Sequence, residues 1–312
     1  MVLRGLASIF FLLSASLWVY AGESTDPNQW LEKMSRSHRE LNYQGLFTYE
    51  QADTIQSMRI FHALIDGEEY ERLERLNSGK MNVIRRGHGP MCMHVGDKLI
   101  HLLQEQYHGD GGIAHFYDFS IVGKDRVANR SVVELAIMPR DEHRFGHRLS
   151  LDEGTGILLR AVQYSTENKV LERFQFVDVT LDSPLSMADF QGQANHQQVR
   201  HIEPELGKVL QYGWRVSWVP GGFKASPQAP QKQQAIIESQ IYTDGLAVFS
   251  VFVERHDPNS PAAGIQGRAQ RGATMAYSRA FQLNGEPYRV TVVGEIPQTT
   301  AERIAASIVS SS

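Results

Sequence analysis

The sequence predicts an α+β protein of two domains. The larger, N-terminal one is an antiparallel sheet curled into a half-barrel with a covering helix, and the smaller, C-terminal one is α+β. Three observations carry this expectation. At 312 residues the chain exceeds the ~250–300 at which a single core stops growing. Apolar residues alternate at period two through most of the first half, beginning with Leu41, Tyr43, Gly45, Phe47 and Tyr49 on one face. From Asp182 to Pro204 the pattern breaks into polar residues, and a different grammar follows. The expected divisions are a signal peptide over 1–21, a large domain over 22–182, a linker over 183–208 and a small domain over 209–312.

Taken in order, Arg4 precedes an apolar run from Gly5 to Tyr20, and Val19-Tyr20-Ala21 places small residues at the −3 and −1 positions of a cleavage site. This is the architecture of a secretory signal cleaved after Ala21. An uncleaved anchor is the rival reading, for which the run is short of the ~20 apolar residues a membrane span needs. Asp26-Pro27 starts a helix whose Trp30, Leu31, Met34 and His38 make the stripe that packs on the sheet. A strand meander follows, turning at Gln51-Ala52-Asp53, at Asp66-Gly67 and at Asn77-Ser78-Gly79. Tyr70, Leu73 and Leu76 of the third run also fit a helical spacing. Further strands are expected over Cys92–Val95 and Lys98–Leu103, with a flexible flap from Glu105 to Tyr117. Ser120–Val122, Ser131–Met138, Arg144–Leu151, Ile157–Tyr164 and Val170–Leu181 complete about ten strands. So wide a sheet curls, and its lining of Tyr43, Phe47, Tyr49, Met58 and Ile60 is either core or a lipid-sized groove.

In the small domain, Trp214, Val216 and Trp218 alternate toward Pro220-Gly221-Gly222-Phe223. A hairpin is expected about Thr243-Asp244-Gly245, a Gly-rich loop over Asn259–Gly272, and a second hairpin about Asn284-Gly285. A final helix begins near Pro297 with Ile304, Ala305 and Ile308 on one face. Trp214, Trp218, Phe223, Tyr242, Phe249 and Phe252 crowd this domain. Most must be core, and one or two are candidates for a partner-binding surface, where aromatics are enriched.

Catalytic and metal chemistry find no support. His94, His101, His108 and His115 recur every seven residues, but an odd spacing alternates faces on a strand. His143 and His147, four apart on extended chain, lie ~13 Å apart, too far for one ion. No G-x-S-x-G, H-E-x-x-H or phosphate-binding loop occurs. Glu68, Glu69, Glu71 and Glu74 alternate with Arg72 and Arg75 as a solvated charged face. Cys92 is the only cysteine, so no intramolecular disulfide forms, and its apolar neighbours favour burial. A net charge of −4 argues against nucleic acid as a partner. The sequence points to a binding protein without cofactor or metal, not an enzyme.

Leu41-Asn42-Tyr43-Gln44-Gly45, Phe119-Ser120-Ile121-Val122-Gly123 with Arg126-Val127-Ala128, Thr155-Gly156-Ile157-Leu158-Leu159-Arg160 and Leu171-Glu172-Arg173-Phe174 occur in an order that resembles the MucB/RseB family. Trp218-Val219-Pro220-Gly221-Gly222-Phe223, Tyr242-Thr243-Asp244-Gly245-Leu246 and Val293-Gly294-Glu295-Ile296-Pro297 extend the resemblance to nearly the whole mature chain. It implies a periplasmic negative regulator of an envelope-stress sigma factor of the sigma-E/AlgU type. Such a protein binds the periplasmic domain of a MucA/RseA-like membrane anti-sigma factor and shields it from the first regulatory protease. The resemblance also implies a large domain like the periplasmic lipoprotein carriers, and release by a lipid-like signal with a lipid or lipopolysaccharide ligand. A periplasmic lipid or lipoprotein carrier is the alternative. Homo-oligomerisation stays open, and the family supplies no catalytic motif.

Overall fold

The computed structural model of the protein describes residues 26–77, 82–86, 112–190, 197–198, 212–226, 237–255 and 266–311. The expected signal peptide, the strands at 92–95 and 98–103, Cys92, most of the flap, and His94, His101 and His108 lie outside them.

Helix α1 (Pro27–Glu40) begins where Asp26 accepts the N–H of Asn28 at 2.9 Å, with Pro27 in the first turn, the preferred chemistry of a helix start. It ends where Leu41 turns extended, its N–H still bonded to Ser37. Trp30, Leu31 and Met34 are buried against the sheet. Lys33 and Ser37 tie the helix to the backbone carbonyls of Glu153 and Thr155.

The sheet beneath it contains β1 (Tyr43–Gln51), β2 (Thr54–Ile65), β3 (Glu68–Arg75), β4 (Asn82–Arg86), β5 (Tyr117–Val127), β6 (Arg130–Pro139), β7 (Gly146–Asp152), β8 (Leu158–Tyr164), β9 (Val170–Leu181) and β10 (Gln197–Gln198). Their order is β10-β4-β3-β2-β1-β9-β8-β7-β6-β5, antiparallel except for β10 on β4. Asp66 and Gly67, at φ 52° and 79°, form the tight turn expected of them, and Ala128 and Asn129 do the same between β5 and β6. Phe47, Met58, Leu73, Leu135, Leu149, Leu159 and Phe174 form one core with α1.

β3 is the strand that the meander reading placed here, with Tyr70 and Leu73 paired in register with β2 and β4, and the helical spacing of its apolar residues is not used. One expectation about it is corrected. Its acidic residues are not a wholly solvated face, since Glu69 and Glu71 are buried. Alternation turns both inward, and Glu69 meets His62 at 3.0 Å. After β9, Ser183 bonds Gln44, and helix α2 (Met187–Phe190) packs Phe190 on Tyr70.

The second lobe holds β11 (Trp214–Val216), β12 (Lys224–Ala225), β13 (Ile237–Thr243), β14 (Val248–Arg255), β15 (Gly267–Arg271), β16 (Thr274–Leu283), β17 (Glu286–Gly294), helix α3 (Gln298–Ala306) and β18 (Ile308–Ser310). Six strands form a sheet in the order β12-β13-β14-β17-β16-β15, while β11 pairs with β18. Phe249, Val251, Val290, Val292 and Met275 face Ile304, Ala305 and Trp214 in a second core. The expected Gly-rich loop contains β15, which pairs with β16 across Gly272-Ala273. Ile308 lies beyond the helix in β18, where Val216 is its partner. No helix among the described residues is long and apolar enough to cross a membrane.

Candidate functional site

The two lobes meet through charged and aromatic groups at two points, which makes their junction the candidate site. The connection between β6 and β7 carries Arg144 into a socket that closes completely around it. Its Nε donates to Asp244 Oδ2 at 2.5 Å, and its two Nη atoms donate to Asp141 and to the carbonyl of Gly221. The guanidinium carbon lies 4.9, 4.8 and 5.7 Å from the rings of Phe116, Phe223 and Tyr117. Asp244 Oδ2 also accepts the Tyr117 hydroxyl at 3.0 Å, while Oδ1 accepts the N–H groups of Leu246 and Ala247 at 2.9 and 2.8 Å. Neither Arg144 nor Asp244 has any solvent-exposed side-chain surface. Gly222, at φ 88°, lets the Phe116 ring lie where a Cβ would stand.

The electrostatics follow from this enclosure. Burial raises the Tyr117 hydroxyl well above its ordinary pKa and the Asp244 charge adds to this, with Arg144 opposing. For Arg144, burial pulls the value down, but the hydrogen bond and charge of Asp244 outweigh it and hold the group above its usual range. The socket acts as a fastener in which the buried Arg144 is paired with both Asp244 and Asp141.

A second contact lies across β1 and β9. Glu172 accepts Gln51 Nε2 at 2.9 Å and the N–H of Ala273 at 2.9 Å, together with the Tyr49 hydroxyl. Ala273 belongs to the two-residue turn between β15 and β16, so the tip of that hairpin sits on the large lobe. Burial, then the Glu172 charge, pushes the Tyr49 pKa upward. Beside the socket, His143 meets Thr300 Oγ1 at 3.0 Å and the Trp218 ring at 5.3 Å, and Arg303 covers Trp218 at 3.8 Å. Leu246 is buried in the large lobe's core.

The six aromatic candidates divide by face. Trp214, Phe223 and Phe249 are buried in the small core, and Trp218 and Tyr242 pack against it. Tyr242 stacks on Phe249 at 5.1 Å, and Trp214 Nε1 donates to Glu238 at 2.5 Å. Phe252 lies on the opposite face of the sheet, between Ser239 and Thr291 in register. In the large lobe Tyr43, Phe47, Met58 and Ile60 are buried in the core that α1 completes, while Tyr49 is half-buried at the junction. Sequence reasoning singled out none of Arg144, Asp244, Tyr117 or Glu172 for function. The available signal was Asp244 within Thr243-Asp244-Gly245, an aspartate that caps its own turn. Among the described residues no three His, Cys, Asp or Glu side chains converge to hold a metal ion.

Comparison with known proteins follows this division. The MucB/RseB N-terminal domain model matches residues 26–194 and the MucB/RseB C-terminal domain model matches residues 209–309. The chain is 34% identical over 313 residues to the sigma factor AlgU regulatory protein MucB of Pseudomonas aeruginosa PAO1, covering 96% of each. It is 26% identical over 313 residues to the sigma-E factor regulatory protein RseB of Escherichia coli K12, covering 95% of each. The crystal structure of MucB in complex with MucA(peri) superposes with a TM-score of 0.73 at 31% identity, covering 92% of this chain and 100% of that one. Matching both domain models in order and a relative end to end, the chain belongs to the MucB/RseB family.

Proposed function

We propose that the protein is exported to the periplasm with cleavage after Ala21, and that it binds there the periplasmic domain of a MucA/RseA-like anti-sigma factor. By shielding that domain from proteolysis it restrains an envelope-stress sigma factor. The observation that carries this reading is the end-to-end similarity to MucB, including the structure of MucB bound to MucA(peri). The interlocked lobes support it physically. A segment lying across both is gripped at points whose separation is set, and it loses the mobile conformations a protease must capture, so occupancy alone protects it. The role is binding, not catalysis.

The same reading divides the chain into a large domain over 22–182, a connection over 183–208 whose start is held against β2 and β3, and a small domain over 209–312. A lipid-like signal acts at the concave core. Tyr43, Phe47, Met58 and Ile60 are buried there with Trp30, Leu31 and Met34 of α1, so an acyl chain enters only by displacing the helix.

The test uses mature protein and the periplasmic domain of its cognate anti-sigma factor. Binding is measured by calorimetry, and survival of the domain under protease is measured with and without lipopolysaccharide. Tight binding with protection, both weakened by lipopolysaccharide, is expected. Binding of lipopolysaccharide with no affinity for the anti-sigma domain would establish a carrier instead.

A further inference from the structure

Among the described residues, the small sheet ends on a strand that no other segment covers. All five residues of β15 are exposed, and among the described residues its only partner is β16. The β15–β16 turn is two residues long, with Gly272 at φ 58° in its first position, so Arg271 and Thr274 form the hydrogen-bonded pair that closes the hairpin. Antiparallel pairing then alternates. Arg271, Ala269 and Gly267 direct their backbone groups to β16, and the N–H and C=O of Arg268 and Gln270 point to the free edge.

We propose that the free edge of β15 is a docking site for an extended acidic segment, which adds to the sheet as a further strand. Edge addition takes its affinity from main-chain hydrogen bonds and its selectivity from flanking side chains. Those flanks are Arg268 on one face and Arg271 on the other, both exposed, and among the described residues Arg268 has no carboxylate partner. Two copies of β15 would bring their arginines together, so the charge disfavours self-pairing and attracts an acidic strand. The edge leads directly to the lobe junction, where Gly272 abuts Gln51 and Glu172 of the large lobe. A strand seated on β15 thus reaches both lobes. The identity of the segment rests on the function proposed above: it belongs to the anti-sigma factor's periplasmic domain.

The test follows amide hydrogen exchange in the full mature chain with two probes: the cognate anti-sigma periplasmic domain, and a synthetic peptide alternating threonine and glutamate. Slowed exchange at Arg268 and Gln270 with either probe is expected. Gln270→Pro removes an outward N–H while keeping the ladder to β16, and it should lower affinity at least tenfold; Gln270→Ala, which loses only the side-chain bond to the Gly272 carbonyl, should bind like wild type. Arg268→Glu should weaken both probes. If neither probe protects the two amides, or if Gln270→Pro binds like wild type, the docking site is refuted. If the acidic peptide protects while the anti-sigma domain fails to bind, the edge stands and the function proposed for the protein falls. Concentration-dependent protection without any probe would assign the edge to a second copy and overturn the acidic occupant.

Discussion

At the scale of single residues, the junction depends on a charge pair that is stable only while complete. Arg144 and Asp244 are both sealed from water, and each relies on the other to offset its desolvation. Replacing Asp244 leaves a buried guanidinium with one carboxylate and one carbonyl, and it also frees the Tyr117 hydroxyl and two backbone N–H groups. Asp244→Ala is expected to lower stability by about 3–5 kcal/mol, measured by urea denaturation. Asp152 predicts a pH dependence. Burial alone would raise its pKa, but the hydrogen bonds from Arg130 and from the Thr155 N–H and hydroxyl outweigh burial and hold it below the usual range. A value lower in the folded than in the unfolded chain gives stabilisation that is complete above the unfolded pKa of about 3.9 and is lost as pH falls through the folded value. Asp152→Asn should therefore flatten the acid limb of the stability curve, and a limb identical to wild type in acid titration would exclude Asp152 as its source.

At the scale of elements, α1 and the β1–β9 pairing hold the large lobe together. Gly45 lies on the inner face of β1, where the strand register shifts between Leu46 and Phe47 and Val177 bulges outward. A Cβ there would stand 2.6 Å from the carbonyl oxygen of Asp178 and 2.6 Å from the Phe176 ring. A backbone carbonyl cannot swing aside, so Gly45→Ala must spread the two central strands, at about 1–3 kcal/mol. Met34 is wholly buried between helix and sheet. Met34→Ala should cost about 2–5 kcal/mol and loosen α1 first, which hydrogen exchange along 27–40 would report as faster opening than in β6 or β7.

At the scale of the whole molecule, the question is whether the lobes unfold together. Each has its own core, but the hairpin tips at Leu246 and Ala273 are seated in the large lobe, and the Arg144 socket draws from both. The wild type should show one calorimetric transition. Asp244→Ala should separate it into two, because the coupling passes through the junction and not through either core. Two transitions in the wild type would mean that the lobes are merely adjacent.

Much of this architecture was legible in the sequence because it depends on local chemistry. Period-two alternation marked most strands that flank the core. Asp66-Gly67 and Asn284-Gly285 announced positive-φ turns, which the backbone adopts. Asp26-Pro27 marked the start of α1 because an N-cap and a first-turn proline act within a few residues. Properties set by distant partners were not legible. β15 is strand because β16 pairs with it, despite glycine-rich surroundings, and Ile308 leaves the helix because Val216 is there to receive it. Glu69 and Glu71 are buried by their position on a curled sheet, although their charges alone suggested solvent. Phe252 looked like five other aromatics until the sheet assigned it the opposite face. The socket is the clearest case. Arg144 and Asp244 lie 100 residues apart, and nothing near either predicts that one will close on the other. Sequence alone determined where the chain turns and which family it resembles, because both are written in short-range patterns. The junction was decided only in the tertiary structure, because desolvation and charge compensation arise when distant segments exclude water from the same place.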